Sequence, residues 1–442
     1  MLAFCKTSTT VSSMTITDIP HASGPGGTSA QGVAIRLMFI VTVPMSARIL
    51  LRGQLADMKS RGYSVTLVSS PGPDLSATGQ REGVKAIPVQ MERQISPLLD
   101  LRALFDLIRV LQKEQPMITK VGTPKAGLLG GLAAVATGVP CRVYVLHGLR
   151  LETATGLKRA LLWSAERVAC LSAHRVLCAS PSLLREAERL HLLPRGKGVL
   201  LGGGTTNGVD SSRFTATEER LRAASTLREG LGVPEDAKVI GFVGRLTGDK
   251  GVVELLAAHR ILRRSFPDLC LLLVGEPDPD DPLPAHAASM LAAPGVIMAG
   301  WMVDTAPAYH AMDVLALPTY REGFPGVPLE AAAAGRPVVT TSVTGAVDAV
   351  VEGVTGYIVP PRDPGALADA LGRLLADPAL AVELGRSGRE RVGRDFSQAT
   401  VWDENAALFR ELLTERSNSM KTDTRLRRMV KRIRGTAAVG ST

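Results

Sequence analysis

The run Gly244-Arg245-Leu246-Thr247-Gly248-Asp249-Lys250-Gly251 places two cations between an apolar, β-branched stretch and a helical one. Gly244 permits a tight strand exit. Arg245 and Lys250 beside a helix start suit a diphosphate, because open backbone N–H groups and side-chain donors both favour an anion there. Farther along, Glu322 and Glu330 bracket Gly323-Phe324-Pro325-Gly326-Val327-Pro328-Leu329. Carboxylates bind vicinal hydroxyls well, since each oxygen accepts two hydrogen bonds, and the amides of Phe324, Gly326 and Val327 lie in the same loop. Glu330 taken alone is equally a first-turn acid favoured by the helix dipole. In the first half, His147-Gly148 closes an apolar run and sets an imidazole at a strand's carboxyl end. Asp278-Pro279-Asp280-Asp281 mimics a metal-binding DxD pattern, but its proline-rich setting reads as a solvated acidic loop.

These residues need elements to hold them. From residue 34 the pattern predicts strands at Ala34–Val43, Val65–Ser69, Val84–Val89, Met117–Val121, Cys141–Leu146 and Arg175–Cys178. Helices are expected at Ile49–Lys59, Leu98–Lys113, Lys125–Thr137, Leu157–Leu171 and Pro181–Leu190. A glycine-rich break at residues 202–208 opens a hinge that reaches to about residue 214. The alternation restarts with strands at Val239–Val243, Cys270–Val274, Val296–Met298, Val314–Leu317, Val338–Thr340 and Gly356–Ile358. Helices are expected at Val252–Ser265, Leu329–Ala334, Pro364–Leu375, Ala379–Gly393 and Phe396–Glu415. Short, continuously apolar strands between helices imply parallel sheets covered on both faces. Two such halves place the default ligand site in the cleft between them, at the carboxyl ends of the strands.

Composition bounds the rest. Apolar residues form 45% and charged residues 21% of the chain, which excludes wholesale disorder and rod-like folds. Five cysteines with no CxxC pair read as reduced, mostly buried thiols of a cytoplasmic protein. No apolar stretch is long enough to span a bilayer. Residues 1–33 lack an apolar signal core and read as a disordered extension or an over-long start assignment. Net charge is +9, and residues 417–442 hold seven cations against Asp423. Leu426, Met429, Val430 and Ile433 recur within that run at helical spacing, the pattern of a helix on an anionic membrane surface. A solvated tail fits the same residues. Aromatic residues at 4% give little support for stacking on nucleic-acid bases.

Taken together, Gly-Arg-Leu…Lys-Gly and Glu-Gly-Phe-Pro…Glu resemble the retaining glycosyltransferases of family 4. His147-Gly148-Leu149-Arg150, Thr123-Pro124-Lys125-Ala126-Gly127 and Asn207-Gly208-Val209-Asp210 are similar to the bacterial capsule and O-antigen branch of that family. The resemblance implies an α/β chain of GT-B architecture, with two doubly wound Rossmann-like domains facing a cleft. Residues 34–205 would bind acceptor and residues 206–395 the nucleotide sugar. Residues 396–416 would form a helix crossing back to the first domain, followed by the basic tail 417–442.

The resemblance also implies roles. Arg245 and Lys250 would hold the diphosphate, Glu322 the donor sugar and Glu330 the ribose. Gly244, Phe324, Gly326 and Val327 would line the donor site, His147 would touch the sugar, and the base would rest near Trp301-Met302. The donor would be a UDP-linked hexose or N-acetylhexosamine, with no cofactor or metal. The acceptor would be a saccharide, expected on a lipid carrier at the inner face of the plasma membrane, and Arg48 is a candidate acceptor contact. Pro325 departs from the glycine common at that place and removes one amide donor. A UDP-sugar 2-epimerase, or a non-catalytic sugar- or lipid-binding partner in an assembly complex, would share parts of this pattern.

Overall fold

In a computed structural model, the described residues are 34–279 and 281–437, with residues 420–437 described as backbone path alone. Expectations for residues 1–33, for Cys5, for Asp280 and for the side chains of the basic tail lie outside them.

Thirteen strands form two wholly parallel sheets among the described residues. The first half contains β1 (Arg36–Ile40), β2 (Ser64–Ser69), β3 (Lys85–Pro88), β4 (Ile118–Gly122), β5 (Cys141–Leu146), β6 (Arg175–Cys178) and β7 (Gly198–Val199). Their order is β3-β2-β1-β4-β5-β6-β7. The second half contains β8 (Val239–Val243), β9 (Cys270–Val274), β10 (Val296–Gly300), β11 (Val314–Leu317), β12 (Val338–Thr341) and β13 (Gly356–Val359), ordered β10-β9-β8-β11-β12-β13. Both orders reverse direction beside the first strand of the half, the place where open α/β sheets leave a ligand crevice.

Alternate side chains of each strand serve opposite faces. Met38 and Ile40 pack into one buried cluster with helices Pro97–Glu114, Pro124–Ala136 and Gly156–Ser172. Leu37, Phe39 and Val41 pack into another with the helix Gln54–Ser60. The second sheet is flanked in the same manner. Fully buried strands explain the unbroken apolar runs seen in the sequence. Helix starts at Pro44, Pro73, Pro97, Pro124, Pro181, Pro364 and Pro378 use a residue whose missing N–H is not needed in a first turn.

Three expectations change. The single helix expected at Ile49–Lys59 is two helices, Pro44–Leu50 and Gln54–Ser60. Gly53 breaks it at φ +78°, and a Cβ there would lie 2.7 Å from the Trp402 ring. A helix at Pro73–Glu82 fills the stretch between the strands expected at Val65–Ser69 and Val84–Val89, where Pro71-Gly72-Pro73 by itself signals only a turn. The last helix runs Gln398–Ala437 rather than stopping at Glu415, because no glycine or proline interrupts the chain before Gly435. Its residues Val401, Phe409 and Leu412 pack into the first half, where Asn405 Oδ1 accepts from Lys120 Nζ at 2.8 Å. Burial lowers the Lys120 pKa to about 7.

Candidate functional site

The cations sit on a turn that glycines make possible. β8 ends at Gly244, whose carbonyl abuts Gly275; a Cβ on Gly275 would lie 1.9 Å from that oxygen. The chain then passes through Arg245 and the short turn Gly248–Lys250 to Gly251, at φ +70°. A Cβ on Gly251 would lie 1.9 Å from the Pro318 carbonyl oxygen, so only glycine lets this turn press against the loop after β11. That loop is tied down further. The Tyr320 N–H donates to the Asp249 carbonyl at 2.8 Å, and Arg321 pairs with the Asp249 carboxylate at 2.8 Å.

The consequence is an ion pair between Lys250 and Glu322, 72 residues apart in sequence. Arg245 instead meets Asp278, from the loop after β9. Asp278 is buried, so the reading of this segment as a solvated acidic loop is corrected at that residue. Its carboxylate also lies 3.8 Å from Arg93 of the first half. Arg150 stands close by. Burial lowers its pKa, and so do its neighbours Arg321, Arg93 and Arg245. Positive side chains from both halves therefore converge on one wall of the cleft.

Glu322 and Glu330 separate along the loop. Glu330 lies on the helix Gly326–Ala333, and the Tyr309 hydroxyl donates to its Oε2 at 2.7 Å. Burial raises the Glu330 pKa, while Tyr309, Arg213 and Arg52 oppose that rise. Gly326 and Val327 open this helix, with Pro325 before them and Pro328 after. The two prolines remove two of the four N–H groups that a helix start leaves unpaired. The remaining two belong to Gly326 and Val327, beside Glu330. Met302 is half-buried against the same apolar cluster, and Trp301 is half-exposed with the Arg48 guanidinium 5.8 Å from its ring centroid. Arg48 also pairs with Asp74 at 2.8 Å.

The halves touch through backbone at the centre of the cleft. A Cβ on Gly323 would lie 1.5 Å from the His147 carbonyl oxygen, and Gly148 sits against the same segment. Thr344 donates to Glu152 at 2.7 Å, and the Ser182 N–H donates to Asp348 at 2.9 Å. Phe324 packs into buried clusters of both halves. The His147 imidazole itself lines a small cavity with Lys120, Gly122 and Val145. Burial, then the nearby Lys120 charge, lowers its pKa to about 4, so it is neutral near pH 7.

Arg245, Lys250, Glu322, Phe324, Glu330 and the backbone of His147 thus share one cleft. Tyr309, Asp278, Arg93 and Arg150 went unrecognised as parts of it. Tyr309 is 21 residues from Glu330 on another helix, and nothing local marks it. Asp278 carried a signal, a carboxylate one loop from Arg245, that only a neighbouring strand could reveal.

A family model described as "Glycosyl transferases group 1" matches residues 237–377, and one described as "Glycosyl transferase 4-like domain" matches residues 48–204. The capsular polysaccharide biosynthesis glycosyltransferase CapM of Staphylococcus aureus is 34% identical over 86% of this chain and 98% of its own length. The UDP-Gal:alpha-D-GlcNAc-diphosphoundecaprenol alpha-1,3-galactosyltransferase of Escherichia coli is 24% identical over 73% of this chain and 83% of its own. The crystal structure of Anabaena Alr3699/HepE in complex with UDP and glucose aligns with TM-score 0.71 at 18% identity, covering 85% of this chain and 99% of that one.

Proposed function

This chain belongs to the family 4 type of glycosyltransferases, with two α/β halves in GT-B arrangement. From that premise we propose that it moves a hexose or N-acetylhexosamine from UDP to a lipid diphosphate-linked acceptor, with retention, in cell-surface polysaccharide assembly. The observation that carries this reading is the convergence of Arg245 and Lys250, after β8, with Glu322, after the neighbouring β11, in the cleft.

Bond cleavage between the anomeric carbon and the diphosphate leaves an electron pair on the departing UDP. Arg245 and Lys250 stabilise that charge without the need for a metal, as cations fixed before the reaction. For Lys250 to turn to phosphate, Glu322 exchanges its ammonium partner for sugar hydroxyls. Asp278 yields Arg245 in the same way. Glu330, oriented by the Tyr309 hydroxyl, accepts from the ribose, and the Gly326 and Val327 amides face the donor. Base contact falls to Trp301 and Met302, and Gly244 keeps the strand exit tight. His147 meets the sugar from the first half. The acceptor oxygen bonds to the anomeric carbon on the face the diphosphate leaves, and its proton passes to the departing phosphate oxygen.

Arg93 and Arg150 exceed what one diphosphate requires, which supports a second phosphate-bearing substrate. The Escherichia coli relative, whose name specifies a diphosphoundecaprenol acceptor, supports the same class. Among the described residues no helix is long and apolar enough to cross a membrane. The enzyme is proposed to act from the cytoplasmic face as a peripheral protein.

The test is a panel of UDP-sugars with a polyprenyl diphosphate-linked N-acetylhexosamine, with EDTA present, read by mass spectrometry and by anomeric proton NMR of the product. Transfer with the donor's configuration supports the proposal. An epimerised nucleotide sugar in the absence of acceptor replaces it with an epimerase. UDP-sugar binding with neither transfer nor hydrolysis replaces it with a binding partner.

A further inference from the structure

One face of the first sheet carries the last helix, and its centre is apolar. Phe39, Val41, Ile118, Val143 and Val145 are all buried there. Lys120 of β4 stands among them at 3% exposure. Its ammonium donates to Gln54 Oε1 at 2.9 Å and to Asn405 Oδ1 at 2.8 Å, and the Phe39 ring centroid lies 5.6 Å from Nζ. Gln54 and Asn405 are buried as fully. Among the described residues no carboxylate pairs with this lysine. Burying an ammonium without a counter-charge is costly, and an unbranched apolar side chain of similar length would fill the space without that penalty. Stability of the fold therefore gives no reason for a lysine at this place.

What the lysine joins gives one. Gln54 Nε2 donates to the Thr206 carbonyl at 3.1 Å and to Asn207 Oδ1 at 3.2 Å. Asn207 Oδ1 also accepts from Trp402 Nε1 at 2.8 Å. Thr206 and Asn207 lie where the chain leaves the first half, and Trp402 and Asn405 lie on the helix by which it returns. The two passages run against each other. The Gly203 N–H donates to the Asp395 carbonyl at 3.1 Å, and the Val209 N–H to the Phe396 carbonyl at 2.8 Å. Lys120 thus grips the returning helix directly and the outgoing segment through Gln54.

The same lysine reaches towards the cleft. Side chains two apart on a strand share a face, so Gly122 follows Lys120 along β4. A Cβ on Gly122 would lie 3.1 Å from His147 Nε2, so the imidazole rests on that strand. Lys120, His147 and Thr206 line one small cavity, and the Lys120 charge adds to the lowering of the His147 pKa.

We propose that Lys120 is a positioning residue for sugar transfer. It fixes both chain passages to β4 beside His147, so that the second half closes in register with the imidazole that meets the sugar. Its effect on rate rests on the transferase reading, whereas the link between the halves does not.

The test uses the full chain. In Lys120→Met, kcat should fall at least tenfold, while KM for the UDP-sugar and UDP affinity stay within threefold, because Arg245, Lys250, Glu330 and Tyr309 all lie in the second half. Methionine leaves the Gln54 and Asn405 oxygens without their donor, which lowers the thermal midpoint. Adding Asn405→Leu removes one of those oxygens and should recover part of the midpoint without recovering kcat. Lys120→Gln keeps one donor, serves if the methionine variant fails to fold, and should show the same split between kcat and KM. A kcat within threefold of the unsubstituted protein overturns the proposal, and so does a kcat that recovers in step with the midpoint. Amide hydrogen exchange read by mass spectrometry needs no turnover. Exchange across residues 203–209 and 399–406 should rise at least tenfold in Lys120→Met, and unchanged exchange at both passages overturns the link. Raised exchange in a protein that transfers no sugar supports the link and refutes the transferase reading instead.

Discussion

Gly323→Ala should separate the two halves without unfolding either. The new Cβ would lie 1.5 Å from the His147 carbonyl oxygen and 2.3 Å from its carbon, where real Cβ contacts under 3.0 Å essentially never occur. The oxygen is backbone at the end of β5, so no side-chain rotation relieves the clash. On the other side, a Cβ on Gly345 would lie 2.4 Å from the Gly323 carbonyl oxygen, which leaves the loop little room to retreat. The halves must then part by about 1.5 Å, and a misplacement of about 1 Å can cost on the order of 10²-fold in rate. The expected loss in kcat/KM is therefore about 100-fold, or about 2.7 kcal/mol of transition-state stabilisation. Arg245, Lys250, Glu330 and Tyr309 all belong to the second half, so UDP affinity should change by no more than about threefold. The assay pairs transfer kinetics with calorimetric titration of UDP and thermal unfolding. Turnover within about threefold of the unsubstituted protein would refute the argument. Loss of UDP binding would show that Gly323 shapes the nucleotide site rather than the closure.

Four further outcomes are expected. Asp278→Asn removes the carboxylate that engages Arg245; at about 1 kcal/mol for such a partly exposed pair, UDP should bind about fivefold tighter, with uridine binding unchanged. Weaker UDP binding would show that Asp278 instead orients Arg245. Glu322→Gln should lower turnover at least about 100-fold without weakening UDP binding, since the proposed partner of its carboxylate is the sugar and its loss frees Lys250 for the diphosphate. Near-normal transfer removes it from the site. Tyr309→Phe leaves Glu330 without its donor and should weaken UDP binding about fivefold, from a net hydrogen-bond contribution of about 1 kcal/mol. UDP titration against the same variant's binding of 2′,3′-dideoxy-UDP distinguishes a ribose role from a general one.

The pH dependence of stability is set largely by histidines that the fold desolvates. Burial, with help from nearby cations, lowers the pKa of His147 to about 4 and of His174 to about 3, and lowers His310 as well. The unfolded chain then binds more protons than the folded one below about pH 6.5. Their contribution is complete above that pH and is lost as pH falls towards 4. Glu166, whose pKa burial raises to about 7, contributes with the opposite sign, but less than the histidines together; the thermal midpoint should therefore decline between pH 7 and pH 4, and a flat profile over that range would contradict it.

The α/β class, the two halves and the family were legible in the sequence for a physical reason. Parallel strands buried on both faces read as short apolar runs, and proline and glycine mark where helices start and turns tighten. The candidate donor residues were legible because turn glycines, cations and carboxylates stand together in short segments, Gly244–Gly251 and Glu322–Glu330. Other features depended on contacts between distant segments. Gly53 breaks a helical pattern because Trp402, from the far end of the chain, fills the space a side chain would need. Asp278 looked solvated until β9 brought it under Arg245. Tyr309 gained its partner only when two helices of the second half met. Local periodicity determines which elements form and which face each must bury. Packing between elements far apart in sequence decides which charges meet, and no spacing along the chain records those distances.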